Sequence, residues 1–293
     1  MKQITVPSGI GDNIWIIQKL INTGQKFDWV LPNGKPQRGK QVFDLLPQIT
    51  NSCKYSLDHR INYNLLAQKN IQKSVKKWVN IVPRSIYLSA NEHLEKGNRL
   101  DTFLYDLPLA YELPWQTADH KQQLQDDMTF NNVKKIKIGI YGSSYSTTRA
   151  WNFWKEGEWL ELIKLINKHN KNITFCLIGA EWDLDLNGAL IRELFKSKVS
   201  FFNTCGKPLA YVIELMKQLD YAFYFPSGLP ILSETLKGKQ DCVMFYPPHL
   251  KKMMGTWCDP KRTENKNFKE VQFCTPEEIF NWVKNDYQLF DRL

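Results

Sequence analysis

The chain has 293 residues, of which 43% are hydrophobic and 24% are charged. This composition is typical of a folded globular protein and excludes a long disordered chain, and the length favours two domains of about 100–200 residues each. The formal net charge of +9 favours an anionic partner, such as a nucleoside diphosphate, an acidic glycan, a membrane surface or a nucleic acid. The lysines are spread along the chain, which argues against a dedicated basic arm.

The sequence contains no apolar run near the roughly 18–20 residues that a membrane-spanning helix needs. The first residues, MKQITVPSGIGD, lack the apolar stretch and cleavage site of a secretory signal, so we expect a cytoplasmic protein. Its six cysteines form no CxxC pair. We therefore expect free thiols rather than disulfides or zinc, with Cys176 and Cys242 packed as small hydrophobes inside strands.

The N-terminal part predicts a strand, a glycine turn and a helix. The strand is Lys2–Val6, the turn Pro7–Gly11 and the helix Asp12–Ile21, which has apolar residues at helical spacing. Another apolar run, Phe27–Leu31, ends in a Pro-Asn-Gly turn. Residues 50–118 predict no particular element.

The second half alternates strand-like and helical patterns, which predicts a parallel, doubly wound sheet. The strand-like runs are Ile136–Tyr141, Ile173–Ile178, Val199–Asn203, Tyr221–Phe225 and Cys242–Tyr246. The helical segments are Glu158–His169, residues 189–195, Leu209–Leu219 and Pro230–Leu236. A last helix is predicted over Pro276–Leu293, with Thr275 as its N-cap and Pro276 at the first helical position.

The polar stretch 119–135 is interpreted as a linker between two domains. Two Rossmann-like halves joined in this way make up the GT-B architecture, an α/β fold in which the two domains face each other across a cleft. We expect an N-terminal Rossmann-like domain over residues 1–125, a C-terminal Rossmann-like domain over 136–275 and a closing helix over 276–293. Ligands in such sheets bind beyond the carboxyl ends of the strands, so the turns after strands are the candidate sites.

The first candidate turn is Ser8-Gly9-Ile10-Gly11-Asp12. Its glycines allow a tight turn and a close approach of the backbone to a ligand. One interpretation is that Asp12 only caps the following helix. The other is that Asp12 is a general base that takes the proton of an attacking hydroxyl, as sugar transfer with inversion requires.

A second turn follows the strand Ile136–Tyr141. Ser143, Ser144 and Arg149 are suited to binding phosphate oxygens, and no Walker pattern is present. The alternative is a polar loop in which Trp151 and Trp154 act as packing anchors.

Three further segments follow strands and carry candidate ligand-binding residues. Glu181 and Asp183 can hold ribose hydroxyls. The backbone amides of the Ser227-Gly228-Leu229 turn can bind an anion, and Glu234 can reach a sugar or ribose hydroxyl. A loop with His249, Lys251 and Trp257 is suited to sugar or phosphate. The aromatic ring of Trp182, between Glu181 and Asp183, can instead pack on the sheet. The Ser227–Leu229 turn can be an ordinary strand-to-helix connection, and the last loop a solvated charge pair beside a core tryptophan.

In chain order, these turns resemble the ADP-heptose:lipopolysaccharide heptosyltransferase family. Ser8–Asp12 is similar to the family's S-x-G-D turn, and Arg149-Ala150-Trp151-Asn152 to its K-x-W-P element. Gly179–Asp183 is similar to its G-x-x-x-[DE] turn, and Pro226–Ile231 to its D-[ST]-G-x-x-H donor loop. The resemblance covers the first 20 residues loosely and residues 136–248 more fully. Pro226 and Ile231 replace the family's aspartate and histidine, so the resemblance does not identify the donor sugar.

The resemblance implies an inverting glycosyltransferase with a nucleotide-sugar co-substrate, no bound cofactor and no metal. Residues 1–125 would be its acceptor-side domain and residues 136–275 its nucleotide-sugar-binding domain. Asp12 would be the catalytic base. The donor diphosphate would be held by Gly11, Ser143, Ser144, Arg149, Ser227, Gly228 and Leu229. The ribose, base or sugar would be held by Asp183, Glu181 and Glu234, and the acceptor or sugar would meet His249, Lys251 and Trp257. The acceptor would be a lipopolysaccharide-type or other surface glycan, reached with peripheral membrane contact.

Two alternatives stay open. One is a phage-encoded DNA glycosyltransferase that acts on hydroxymethylated bases in the host cytoplasm, which fits the basic charge and the Lys/Asn/Ile-rich composition. A salt-dependent affinity for duplex DNA would distinguish it. The other is a non-catalytic nucleotide or sugar binder, which fits the two replacements in the donor loop. Turnover of a donor would exclude it.

Overall fold

The computed structural model of the chain describes residues 3–6, 9–31, 39–55, 110, 112–142, 154–225, 227–236, 241–246, 268–272 and 275–286. The chain divides into two compact units, each with its own parallel sheet. The first unit is formed mainly by Met1–Gln116 and Ile231–Lys237. The second is formed by Thr117–Pro230, Gly238–Met254 and Thr263–Leu293. The predicted α/β class is confirmed.

The first unit contains, in its described part, a three-stranded parallel sheet in the order β1-β2-β3. Its elements are β1 (Gln3–Thr5), α1 (Ile10–Leu20), β2 (Phe27–Leu31), α2 (Gly39–Asp44) and β3 (Thr50–Tyr55). The core forms around Trp29, whose ring packs against Phe27 and Phe43 at centroid distances of 5.6 and 4.5 Å. Its indole N–H donates to the Ile49 carbonyl at 3.2 Å, so the largest core residue has no unpaired polar group.

Helix α1 buries the stripe Ile14, Ile17 and Leu20, which have the spacing of one helical face. This stripe is as the sequence predicts. The predicted start at Asp12 is wrong by two residues, because Gly9 is the N-cap, with an extended backbone at φ −71° and ψ 135°. Asp12 therefore lies inside the first turn of the helix.

The second unit contains, among the residues described, a six-stranded sheet in the order β6-β5-β4-β7-β8-β9. All neighbouring strands are parallel. Its strands are β4 (Ile136–Tyr141), β5 (Ile173–Leu177), β6 (Phe201–Asn203), β7 (Tyr221–Tyr224), β8 (Asp241–Tyr246) and β9 (Phe268–Gln272). Its helices are α3 (Lys121–Phe130), α4 (Glu156–His169), α5 (Leu184–Lys196), α6 (Leu209–Met216), α7 (Gly228–Glu234) and α8 (Pro276–Asp286). The residues of α7 from Ile231 onward belong to the first unit.

The sheet of the second unit has a continuous apolar core on one face. Alternate residues of β4, β5 and β7 bury their side chains there, and helices α4, α5 and α8 cover them. The strand members of this cluster are Ile136, Ile138, Ile140, Ile173, Phe175, Leu177, Tyr221 and Phe223. This alternation is the side-chain period of a strand. The predicted doubly wound sheet is therefore confirmed for this half of the chain.

The predicted linker at 119–135 is wrong, because most of it is helix α3. Leu124 and Met128 are buried on one side of α3, which packs against α6. The Tyr211 hydroxyl donates to Asp127 at 2.8 Å, and Lys207 Nζ donates to the same carboxylate at 3.1 Å. The polar composition of this stretch therefore reflects the exposed face of an amphipathic helix rather than a linker.

Helix α8 begins as predicted, with Thr275 before Pro276. The Glu278 amide donates to the Thr275 hydroxyl at 3.2 Å, and the Thr275 amide donates to the Glu278 carboxylate at 3.0 Å. This reciprocal pair is a capping box and satisfies two amides that a helix start otherwise leaves free. Residues 287–293 of the predicted helix lie outside the described residues. No helix in the described ranges is both long enough and apolar enough to cross a bilayer.

Cys176 on β5 is fully buried, and burial raises the pKa of its thiol to about 12. The thiol is therefore neutral at physiological pH and packs as a small hydrophobe, as the sequence predicts. Cys242 lies on β8, where its side chain is outside the described set. Cys53, Cys176 and Cys205 are free thiols.

Helices α4 and α8 meet at a pair of carboxyl groups. The pKa of Glu161 is held above its ordinary value by a hydrogen bond to Glu277, with burial and the charges of Glu277 and Glu158 acting in the same direction. The same hydrogen bond lowers the pKa of Glu277. The contribution of Glu161 to stability is therefore complete below its ordinary pKa and is lost as pH rises through the raised value. The contribution of Glu277 to stability is present above its ordinary pKa and is lost as pH falls through the lowered value.

We expect Glu161→Gln to stabilise the protein at neutral pH, because an amide donates to Glu277 at every pH and removes the repulsion between two carboxylates. The gain should shrink toward pH 4, where Glu161 of the parent protein is itself protonated. Urea unfolding midpoints at both pH values measure this effect. Glu156→Gln, on the same helix, is the matched control and should show no such gain. A gain from Glu161→Gln that is equal at both pH values would contradict the shared hydrogen bond.

Candidate functional site

The strand order of the second unit reverses between β4 and β7. From β4 the chain proceeds to β5 and β6 on one side, and from β7 it proceeds to β8 and β9 on the other. Tyr141 at the end of β4 pairs with Tyr224 at the end of β7, and the Phe225 amide donates to the Tyr141 carbonyl at 3.4 Å. In open parallel sheets a ligand-binding crevice lies beyond the carboxyl ends of the strands at such a reversal. We call this place the switch point.

The turn after β4 begins with Gly142, which is buried against Trp159 of α4. A Cβ atom at Gly142 would lie 2.7 Å from Trp159 Nε1, so this position requires glycine. The Gly142 carbonyl accepts a hydrogen bond from the Trp159 indole at 3.3 Å. Ser143, Ser144, Arg149 and Trp151, which the sequence singles out next, lie outside the described residues. Trp154 is buried, as expected of a packing anchor.

The turn after β7 reaches α7 through Ser227. The Ser227 side chain is buried, and its hydroxyl accepts a hydrogen bond from the Leu229 amide at 3.3 Å. Gly228 is the first residue of α7. The switch point therefore brings two of the predicted donor segments, Gly142 and Ser227–Leu229, to the ends of neighbouring strands. Pro226 lies outside the described residues.

The turn after β5 is tightly packed. The Asp183 carboxylate is buried and accepts a hydrogen bond from the Ala180 amide at 2.7 Å. A Cβ atom at Gly179 would lie 2.9 Å from Asn187, Asp183 and Cys205, so no larger residue fits there. Asp183 thus serves the turn itself in this structure, whereas Glu181 is exposed and is the accessible carboxylate of the pair.

The remaining predicted site residues are Glu234 and those of the last predicted loop. Glu234 is the last residue of α7, is buried, and belongs to the first unit. The neighbouring Thr235 accepts hydrogen bonds from the Leu113 amide and the Trp115 indole, both at 3.0 Å. The residues of the last predicted loop, His249, Lys251 and Trp257, lie outside the described residues.

The candidate base is on the first unit, in the first turn of α1. The N-cap residue of α1 is Gly9, which makes Asp12 the third residue of the helix. Gly11 is buried, and the Asn13 amide donates to the Gly9 carbonyl at 3.2 Å. A carboxylate in the first turn is stabilised by the helix dipole.

The structure shows features of Asn13 and Trp159 that the sequence patterns do not predict. Asn13 is fully buried, and neither polar atom of its side chain has a partner among the described residues. Trp159 occupies an apolar position of α4, and the helical spacing of the sequence predicts only that it is a core residue. Its hydrogen bond to Gly142 is seen only in the folded structure. Among the described residues, no three His, Cys, Asp or Glu side chains converge on a metal-sized site.

The comparisons with known proteins agree on the fold. No protein-family model matches the chain, and no curated protein matches it by sequence. The Escherichia coli ADP-heptose lps heptosyltransferase II matches 100% of this chain over 99% of its own, with a TM-score of 0.63 and 13% identity. A glycosyl transferase family 9 protein from Veillonella parvula matches 98% of this chain over 92% of its own, with a TM-score of 0.57 and 11% identity.

Escherichia coli heptosyltransferase WaaC with ADP-2-deoxy-2-fluoro heptose matches 98% of this chain over 99% of its own, with a TM-score of 0.52 and 14% identity. At such identities these matches establish the fold alone. The chain therefore has the GT-B fold of heptosyltransferases, and the resemblance predicted from the turns is confirmed at that level.

Proposed function

We propose that this protein is a glycosyltransferase that binds a nucleoside diphosphate sugar at the switch point of its second unit. The observation that carries the proposal is the pairing of β4 with β7. It places Gly142, which precedes Ser143 and Ser144, beside the segment that leads to Ser227 and Gly228. The shared fold supports the proposal, because the structure of WaaC was solved with an ADP-sugar analogue.

The proposed reaction is a displacement at the anomeric carbon of the donor sugar. An acceptor hydroxyl oxygen forms the new bond, the bond to the donor phosphate breaks, and the nucleoside diphosphate leaves with the electron pair. Arg149 and the hydroxyls of Ser143 and Ser144 would offset the charge that grows on the leaving diphosphate. Asp12 would take the proton of the acceptor hydroxyl. A single displacement of this kind inverts the configuration of the sugar.

The acceptor class is proposed from charge. A net charge of +9 favours an anionic acceptor, and one protein of the same fold, the Escherichia coli heptosyltransferase II, has lipopolysaccharide in its name. We therefore propose an anionic surface glycan. Affinity for duplex DNA that falls steeply with salt would instead support the DNA acceptor.

The first test is binding of nucleotides. At a concentration 100 times its dissociation constant, a ligand stabilises the folded protein by about 2.7 kcal/mol. We expect one nucleoside diphosphate, and its sugar derivatives, to raise the melting temperature selectively among ADP, UDP, GDP and CDP. The matching nucleoside monophosphate should give a smaller rise, because it lacks a phosphate. A panel without any shift, nucleotide sugars included, would contradict a donor site.

The second test separates catalysis from binding. We expect Asp12→Asn to lower sugar transfer by at least about 100-fold, the usual contribution of a general base, and to leave the nucleotide-induced shift unchanged. Product formation from the donor selected by the panel measures transfer. Asp44→Asn is the matched control, since Asp44 is an exposed carboxylate of the same unit that pairs with Lys40. Retained transfer, or an equal loss of donor binding, would show that Asp12 is not the base.

A further inference from the structure

Three buried aromatic rings meet beneath the switch point. Trp154, Trp159 and Phe225 have relative exposures of 3%, 0% and 0%. Trp159 packs at centroid distances of 5.0 Å against both Trp154 and Phe225, and Trp154 lies 6.3 Å from Phe225. The two contacts of Trp154 are edge-to-face, the arrangement that aromatic quadrupoles favour. We call these three residues the aromatic cluster.

Each member of the aromatic cluster belongs to a different segment of the site. Phe225 directly follows β7 and leads to Ser227. Trp154 lies two residues before the start of α4, after the stretch that carries Ser143, Ser144 and Arg149. Gly142, at the N-terminal end of that stretch, is bonded to the Trp159 indole at 3.3 Å. Trp159 therefore contacts Gly142 and Trp154, which lie before and after the first predicted donor segment in the sequence. It also contacts Phe225, at the start of the second.

The polar edge of Trp159 distinguishes it from an ordinary core residue. A phenylalanine would fill most of the same apolar space between Trp154 and Phe225. The indole N–H donates to the Gly142 carbonyl, whereas a phenyl ring has no donor, and a buried carbonyl needs one. The indole edge also leaves no room for a Cβ at Gly142, since the Nε1, Cε2 and Cδ1 atoms would lie at 2.7, 3.0 and 3.2 Å from it. The hydrogen bond and the steric fit together hold Gly142 in one position.

We propose that Trp159 is a positioning residue for the donor diphosphate, acting through Gly142 and Phe225 without touching the ligand. This inference rests on the proposed function. A site that stabilises a growing charge works only when its groups are held in place before the ligand arrives. Trp159 holds the first residue after β4 and the first residue after β7 against one rigid ring system, so Gly142 and Phe225 keep a constant separation.

The inference is tested by a double-mutant cycle read out as the dissociation constant of the nucleoside diphosphate. Trp159→Phe removes the indole donor and keeps an aromatic ring, so we expect about tenfold weaker binding. Gly142→Ala places a methyl group against the indole, and we expect a larger loss. In the double variant the indole edge is absent, so binding should recover to the level of Trp159→Phe alone. Coupling of this kind is expected only between residues in direct contact.

A matched control separates positioning from general destabilisation. Ile163 lies one turn further along α4 on the same buried face and belongs to the same core. Ile163→Val should lower the melting temperature slightly and leave the dissociation constant unchanged. If Trp159→Phe lowers stability but not affinity, measured well below its melting temperature, the inference is overturned. If that variant does not fold, Gly142→Ala alone decides, and unchanged affinity in it overturns the inference.

The same experiment distinguishes this inference from the proposed function. If the parent protein binds no nucleoside diphosphate, the donor site itself fails, whatever Trp159 does. If the parent protein binds one and the cycle shows no coupling, the donor site stands and the positioning role of Trp159 fails.

Discussion

The hydrogen-bonded pairing of β4 with β7 is the constraint on which the site of this protein depends. The two strands are 80 residues apart in sequence, yet Ile138 pairs with Tyr221 and Tyr141 pairs with Tyr224. Because all strands of the sheet are parallel, both strands end at the same edge. The chain then leaves that edge in opposite directions, toward β5 and toward β8. A crevice at this point follows from the topology, before any side chain in it is considered.

The described residues at the strand ends include small residues and large aromatic residues, and the pairing of parallel strands explains both. Small residues, such as Gly142 and Gly179, stand where a bulky side chain or a polar cluster already fills the space that a Cβ would need. Large aromatic residues, such as Trp159 and Phe225, lie just below and are fully buried. A close-packed layer of this kind resists displacement. The turns that carry the proposed diphosphate-binding groups begin at this layer.

Much of this architecture is predictable from the sequence, for reasons that are local. Strands such as Phe27–Leu31 and Ile136–Tyr141 are mostly apolar runs bounded by turns, because all but one residue of each is buried in a parallel sheet. The capping of α8 by Thr275 is likewise set by four neighbouring residues. By contrast, the pattern of α3 does not indicate a helix, because Leu124 and Met128 are its buried residues and most of its other side chains are polar and exposed. The start of α1 at Ile10 is not predictable either, because a glycine N-cap leaves no side-chain pattern.

The site is less predictable than the fold, since its decisive contacts join residues far apart in the chain. The sequence singles out the turns, but it cannot show that Trp159 donates to Gly142, 17 residues earlier, or that Asp183 is turned inward onto Ala180. The central claim is that the donor diphosphate binds where β4 and β7 end. A crystal structure of the full chain with the nucleoside diphosphate that stabilises it tests this claim most directly. The account predicts diphosphate density beside Gly142 and Ser227, and density at any other edge of the sheet, or only on the first unit, would contradict it.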